Sequence, residues 1–172
     1  LLKIKNVPVT SLSIRYTEKT IYIGNSFQFT ATITPDNATD KTVTYRTGNS
    51  DVAIVDESGK VTGISEGNTY LYATASNGLS VKCLLRIKNI PVTSLSIRYT
   101  EKTIYIGDSF QFTATITPDN ATDKTVSYRT GNSDVAIVDE TGNVTGVSAG
   151  NTYLYATTVN DISVRCLIKV KE

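Results

Sequence analysis

The segment SFQFTATIT, at Ser26–Thr34, decides the fold class of this chain, and it recurs unchanged at residues 109–117. Its apolar side chains alternate strictly with polar ones: Phe27, Phe29, Ala31 and Ile33 occupy the odd positions. A period of two places the apolar side chains on one face of an extended chain. The segment is therefore typical of a half-buried antiparallel strand and predicts an all-β fold.

Outward from this segment, the whole chain repeats itself. Residues 7–89 and 90–172 align without a gap and differ at only 16 of 83 positions. A fixed period of this length indicates an array of folded units, so we expect two domains, 7–89 and 90–172. Residues 1–6 (LLKIKN) match 84–89 (LLRIKN) at all but one position, which predicts that they are the tail of a preceding repeat.

Short alternating segments separated by turn signals fill each repeat. The candidate strands of the first repeat are Leu12–Tyr16, Thr20–Ile23, Ser26–Thr34, Thr42–Thr47, Val52–Asp56, Val61–Ser65, Thr69–Thr74 and Leu79–Ile87. Asn77-Gly78 predicts a two-residue type I′ hairpin, and Asn160-Asp161 is its less ideal counterpart. Seven to eight antiparallel strands per repeat favour a β-sandwich. The short junction around Pro91 predicts two sandwiches arranged end to end.

Composition and charge exclude several classes of function. The 17 basic and 16 acidic residues are interspersed and leave a formal net charge of +1, so we expect no nucleic-acid partner. No apolar run approaches the roughly 20 residues that span a bilayer, so we expect no membrane insertion by this segment. The chain contains no His, and its acidic residues fall in predicted turns. We therefore expect no catalytic site and no enzyme activity.

The cysteines and the acidic turns are the two places where a covalent bridge or a cofactor has to be considered. Cys83 and Cys166 occupy equivalent positions, and alternation places Cys83 on the core side, which predicts buried free thiols. Asp and Asn oxygens cluster at residues 35–40 and 49–51, so a weak calcium site is an alternative to ordinary turn chemistry. The spacing matches no EF-hand loop, and we expect turns and no cofactor.

Several longer motifs resemble one known family. They are IYIG at Ile21–Gly24, FTATITPDNAT at Phe29–Thr39, VAIVD at Val52–Asp56 and GNTYLYA at Gly67–Ala73, each repeated or nearly so 83 residues later. Together they resemble the group 2 bacterial immunoglobulin-like (Big) domain. The resemblance implies an Ig-like sandwich used serially in bacterial and phage surface proteins, including invasin- and intimin-type adhesins. It implies a non-catalytic, extracellular or cell-surface module, which we expect to be monomeric with further repeats in the same chain.

One predicted surface sets this chain apart from the family pattern. Alternation places Tyr70 and Tyr72 outward, with Arg46 on a neighbouring strand pointing the same way. The equivalent side chains in the second repeat are Tyr153, Tyr155 and Arg129. Tyr and Arg are favoured in binding interfaces, so this surface could stack on sugar rings or bind a host or cell-surface protein. The alternative is that the rings only pack across strands.

These observations leave two classes of function open. The first is a structural spacer or stalk in a bacterial surface or secreted protein, such as an adhesin, and near-identical tandem repeats favour it. The second is a repeated glycan- or protein-binding module that uses the Tyr and Arg side chains. The resemblance also leaves open an accessory module of a secreted carbohydrate-active enzyme and a phage virion protein.

Overall fold

The computed structural model describes residues 5–172, which form two compact units that meet at the Asn89–Ile90 bond. Most of the predicted tail at residues 1–6 lies outside the described residues. The strands of the first unit are β1 (Ser11–Ile14), β2 (Glu18–Tyr22), β3 (Ser26–Gln28), β4 (Ala31–Thr34), β5 (Val43–Thr47), β6 (Ala53–Val55), β7 (Lys60–Gly63), β8 (Gly67–Ala75) and β9 (Ser80–Lys88). Those of the second unit are β10 (Ser94–Ile97), β11 (Glu101–Tyr105), β12 (Ser109–Gln111), β13 (Ala114–Thr117), β14 (Val126–Thr130), β15 (Ala136–Val138), β16 (Asn143–Gly146), β17 (Gly150–Thr158) and β18 (Ser163–Lys171).

Each unit is a two-layer sandwich. In the first unit one layer is the four-stranded sheet β2-β9-β8-β5, and the other combines the sheet β3-β7-β6 with the pair β1-β4. The second unit repeats this arrangement with β11-β18-β17-β14, β12-β16-β15 and β10-β13. The prediction of an all-β sandwich in each repeat is confirmed.

The strand count and the pairing differ in detail from the prediction. Each unit has nine strands rather than seven or eight, because Ser26–Thr34 forms β3 and β4, which pair with β7 and β1 respectively. Between them the Phe29 N–H donates to the Gly59 carbonyl at 2.8 Å. The side-chain alternation continues through this change of partner, so the sequence pattern could not reveal it. The β2–β9 pair is also parallel, as is β11–β18.

The predicted type I′ hairpin at Asn77-Gly78 was wrong. Of these two residues only Gly78 has positive φ, at 87°, whereas a type I′ turn needs positive φ at both. The Gly78 N–H donates to the Ala75 carbonyl at 2.9 Å, and the Ala75 N–H donates to the Leu79 carbonyl at 2.8 Å, which closes a three-residue loop. The reason is tertiary, since the Asn77 side-chain amide donates to the Val9 carbonyl at 2.9 Å.

The core of each unit lies between its two layers. The fully buried side chains include Leu71, Leu85 and Val61 in the first unit and Leu154, Ile168 and Val144 in the second. Cys83 and Cys166 are buried free cysteines, as predicted. Burial raises the pKa of both thiols, so they stay protonated and unreactive.

Tyr45 packs at the edge of the core of the first unit. The Tyr45 ring packs edge-on against Phe29, with centroids 5.8 Å apart. Its hydroxyl oxygen accepts a hydrogen bond from the Ala31 N–H at 3.4 Å. Within residues 5–172, every buried side-chain nitrogen or oxygen has a hydrogen-bond partner. The core is therefore closed without unpaired polar atoms, which would be costly to bury.

Candidate binding surface

The outer surface of the four-stranded sheet, here called the Tyr/Arg face, contains the side chains singled out from the sequence. Along β8, Leu71 and Ala73 point inward and are 0% exposed, so Tyr70 and Tyr72 point outward. Arg46 on β5 is the direct cross-strand partner of Tyr72. The structure thus brings all three predicted side chains together. It does the same with Tyr153, Tyr155 and Arg129 in the second unit.

The rings and the guanidinium are in contact on this face. Arg46 Cζ lies 3.7 Å from the Tyr72 ring centroid, and the Tyr70 and Tyr72 centroids are 6.3 Å apart at a 50° tilt. The corresponding distances in the second unit are 3.8 Å for Arg129 and Tyr155 and 6.4 Å for the two rings. Stacked cations of this kind hold the rings in place, which is the cross-strand packing that the sequence offered as the alternative.

Sequence reasoning missed a second cation and a third ring. Lys82 on β9 lies with its Nζ 4.5 Å from the Tyr70 centroid, and Arg165 Cζ is 4.6 Å from Tyr153 in the second unit. Tyr22 on β2 points outward beside Lys88. The alternation within β9 could have indicated Lys82. Tyr22 could not have been assigned to this face from the sequence around it, because the parallel pairing of β2 with β9 is not visible in either segment.

The one carboxylate of the Tyr/Arg face in each unit is paired with a cation. Glu18 Oε1 lies 2.6 Å from Arg86 Nε, and Glu101 Oε1 lies 2.6 Å from Lys169 Nζ. The hydrogen bond and the charge of Arg86 hold the pKa of Glu18 below its ordinary value. Because the pairs are solvent-exposed, they contribute little to stability. They do neutralise one cation in each unit.

The exposure of the rings decides what this face can do. Tyr72 and Tyr155 are half-buried beneath their arginines, whereas Tyr70 is 40% and Tyr153 is 39% exposed. Tyr22 is 44% and Tyr105 is 55% exposed. Each unit therefore presents two accessible phenol rings beside guanidinium and ammonium groups. Such a surface is suited to donating hydrogen bonds and to stacking, and its role in binding stays a prediction.

The acidic residues of the turns accept hydrogen bonds from their own turns. Asp56 Oδ1 accepts from the Ser58 hydroxyl at 2.6 Å and from the Ser58 and Lys60 N–H groups at 2.9 Å each. These bonds, led by that of the Ser58 hydroxyl, lower the pKa of Asp56. Asp40 accepts from the Thr42 N–H in the same way. Within residues 5–172 no group of three or more metal-ligating side chains is found, and these carboxylates serve turns.

One cavity, of about 410 Å³, lies at the edge of the Tyr/Arg face and is lined by Glu66, Asn68, Arg86 and Lys88. Two others are lined by residues outside this face. One of about 460 Å³ in the second unit is lined by Asp119, Lys124 and Tyr128. One of about 320 Å³ in the first unit is lined by Arg15, Tyr16 and Lys19. None of the described residues forms a helix long and apolar enough to cross a membrane.

Comparison with known proteins gives relatives at low identity. An Ig-like virion protein of Serratia phage KSP90 is 30% identical over 151 residues, which is 84% of this chain and 58% of that protein. An uncharacterized protein of Clostridium acetobutylicum is 28% identical over 157 residues, 90% of this chain and 16% of that protein. The chain thus spans less than two thirds of either relative. Among solved structures, domains 4 and 5 of the S-layer protein SbsC match with a TM-score of 0.49 and 15% identity, covering 96% of this chain and 100% of that one.

The family model of the bacterial Ig-like domain (group 2) matches this chain twice, at residues 8–84 and 91–164. Each match falls within one of the two sandwiches. The chain therefore belongs to the group 2 bacterial Ig-like domain family, with two copies in tandem.

Proposed function

We propose that the two repeats are a non-catalytic structural spacer in a bacterial surface or secreted protein of the adhesin type. The observation that carries this proposal is that each unit completes its own core from its own nine strands. A repeat that closes its core alone can be added in series without exposing apolar surface. Near-identity of the two copies fits a role in which number and length matter more than the individual repeat.

An extracellular location is part of the same proposal. The similar phage protein is a virion protein. Cys83 and Cys166 are compatible with an oxidising environment, because each is buried and its raised pKa disfavours the reactive thiolate. Membership in the family supports a non-catalytic module.

Single-molecule pulling tests the spacer proposal directly. With the chain held between two handles, we expect two separate unfolding events, each releasing roughly 25 nm, since 83 residues extend at about 3.4 Å each less the folded length. Leu71→Ala should weaken one event and leave the other unchanged. A single merged event, or extension without a force peak, would contradict independent load-bearing repeats.

A second candidate function is a repeated binding module for a glycan or a host protein. The specific observation in its favour is the Tyr/Arg face, where exposed rings and cations recur in both units. The two functions are compatible, because the spacer role uses the core and the binding role uses an outer face.

A glycan and extracellular-matrix array tests the second function. The two-repeat protein is compared with a variant in which Tyr70, Tyr72, Tyr153 and Tyr155 are all replaced by Thr. Binding that this variant loses while its melting temperature stays above the assay temperature would support a binding module. A variant that loses thermal stability but keeps every measured affinity would show that the rings serve packing alone.

A further inference from the structure

Positive charge is concentrated on the Tyr/Arg face. In the first unit four cations point outward from β5 and β9 on this face, and in the second unit four point outward from β14 and β18. They are Arg46, Lys82, Arg86 and Lys88, and Arg129, Arg165, Lys169 and Lys171. Glu18 and Glu101 are the acids that point outward from the same sheets. Each face thus carries a net charge of +3 in a chain whose net charge is +1.

Within residues 5–172 no other carboxylate forms an ion pair with these cations. Among residues 5–172 the ion pairs are Arg86–Glu18 and Lys169–Glu101, so Arg46, Lys82 and Lys88 have no carboxylate partner there. Asp56 and similar turn residues accept hydrogen bonds from backbone N–H groups through their carboxylate oxygens. The exposed cations are therefore available to an anionic ligand.

The two repeats show that the charge of this face is retained while charge elsewhere changes. Residues 7–89 carry eight basic and seven acidic side chains, whereas 90–172 carry seven and nine. Five of the 16 differences change charge, and none occupies an outward position on the strands of the face: Asn25/Asp108, Lys60/Asn143, Glu66/Ala149, Gly78/Asp161 and Asn89/Glu172. Of these residues, Glu66 lines a cavity together with Arg86 and Lys88 in the first unit. The differences on the face are Lys82/Arg165, Arg86/Lys169 and Thr44/Ser127. The net charge falls from +1 to −2, and the face stays at +3.

The shape and chemistry of the face limit the class of ligand that it can bind. The cavity that Arg86 and Lys88 line does not include the rings of the face, so a ligand that contacts both rings and cations has to extend over the sheet. Exposed phenol rings beside Arg and Lys match a sugar with an apolar ring face and a carboxylate, which a guanidinium binds with two parallel hydrogen bonds.

We propose that the Tyr/Arg face of each repeat binds a polyuronate, a polysaccharide whose sugars carry carboxylates. This inference rests on the second proposed function and names its ligand class. A protein partner is less well matched, because protein interfaces have an apolar core depleted of charge. Here Arg46 lies over Tyr72, Lys82 lies over Tyr70, and Lys88 is the strand neighbour of Tyr22.

The test measures binding of polygalacturonate to the two-repeat protein at an ionic strength of about 0.15 M, where the Debye length is about 8 Å, with matched charge variants. R46Q/R129Q removes one cation of each face, whereas K41Q/K124Q removes two cations from exposed loops and changes net charge equally. Loss of a charge-assisted hydrogen bond in each repeat should weaken binding about tenfold in the first variant. The loop variant should stay within about twofold, since distant exposed charges are screened.

Three further polymers separate carbohydrate recognition from charge attraction alone. Dextran should not bind, and dextran sulfate and duplex DNA should bind more weakly than polygalacturonate. Replacement of Tyr70 and Tyr153 by Thr should weaken only the polygalacturonate complex. Equal affinity for DNA or dextran sulfate, or an equal loss in K41Q/K124Q, would overturn the proposal in favour of nonspecific ion exchange.

Failure of this proposal and failure of the binding function can be told apart. If a neutral glycan or a matrix protein binds on the array and the Tyr→Thr variant loses it, the binding function stands. Absence of polygalacturonate binding would then overturn the polyuronate assignment alone. If no ligand binds in either experiment, both fail.

Discussion

The two outer faces of each sandwich cover one core with different surface chemistry. The Tyr/Arg face carries rings, guanidinium and ammonium groups. The opposite surface, here called the Ser/Thr face, consists mostly of small polar side chains. Its outward residues in the first unit are Ser11, Ser13, Ser26, Gln28, Thr32, Thr34, Ile54, Lys60 and Thr62. In the second unit Asn143 replaces Lys60, so the strands of this face carry no charge there.

This difference teaches where the fold constrains the sequence. Inward positions of both layers must be apolar to fill the sandwich, because each strand buries one side against the other layer. Outward positions only have to remain soluble in an extended strand. Ser and Thr meet that requirement on one face, so the rings and cations of the other need a further explanation, and binding is the one proposed above.

The largest effect should come from the core that the two faces share. Leu71 is fully buried on β8, between the layers, and its replacement by Ala removes packing from both. We expect a loss of about 3 kcal/mol in the free energy of unfolding, within the usual range for Leu→Ala in a core. Urea denaturation followed by circular dichroism measures it. A loss below about 1 kcal/mol would mean that the two layers do not pack as described.

A smaller effect should localise to the layer of the Ser/Thr face. Gly59 is buried at φ +85°, and a Cβ there would collide with the Phe29 carbonyl oxygen. Gly24, at φ +80°, has nothing within 4 Å of its Cβ position. Gly24→Ala should cost about 1 kcal/mol from the left-handed conformation alone. Gly59→Ala should cost about 2 kcal/mol or more, since the collision adds to that strain.

The two glycine variants control for each other. Gly24 and Gly59 both have positive φ, so any difference between the unfolding free energies of the two variants reports the contact with Phe29. Equal losses would show that the β6–β7 turn can move away from the carbonyl.

The division between what the sequence predicted and what it missed follows the range of the interactions. Burial on alternate residues is local, so the outward position of Tyr70 and the inward position of Cys83 could be read directly. The split of Ser26–Thr34 depends on which strands its halves pair with. The turn at Asn77 depends on Val9, 68 residues away. The local sequence of each segment does not identify these partners.

The candidate surface shows the same limit. Alternation predicted the outward direction of Arg46, and the β5–β8 register places it beside Tyr72. Tyr22 joined the face only through a parallel β2–β9 pair, which connects segments more than 60 residues apart. Sequence patterns give the direction of a side chain, and the sheet order gives its neighbours.

Acid should destabilise the turn between β6 and β7 and the equivalent turn between β15 and β16. The Ser58 hydroxyl and backbone N–H groups lower the pKa of Asp56, and the equivalent bonds lower that of Asp139. A lowered pKa in the folded state stabilises the fold above the unfolded pKa of about 4, and this stabilisation is lost as pH falls through the folded value. We therefore expect the melting temperature of the D56N/D139N variant to fall less between pH 6 and pH 2 than that of the unaltered protein. Parallel pH curves would contradict the role of these turns.

The smallest effects should come from single side chains on the two outer faces. Arg46→Gln removes a guanidinium that lies 3.7 Å from the Tyr72 ring, and an exposed cation–π contact contributes about 0.5–1 kcal/mol. Ser26→Ala removes a hydroxyl pair with Thr62 at 2.8 Å, which is exposed to water and should contribute less than about 0.5 kcal/mol. If both variants keep the stability of the parent within these limits, a loss of ligand binding by Arg46→Gln can be assigned to the face itself. A loss of more than about 2 kcal/mol in either would show that its face supports the fold, and the contrast between a constrained core and free outer faces would then be wrong.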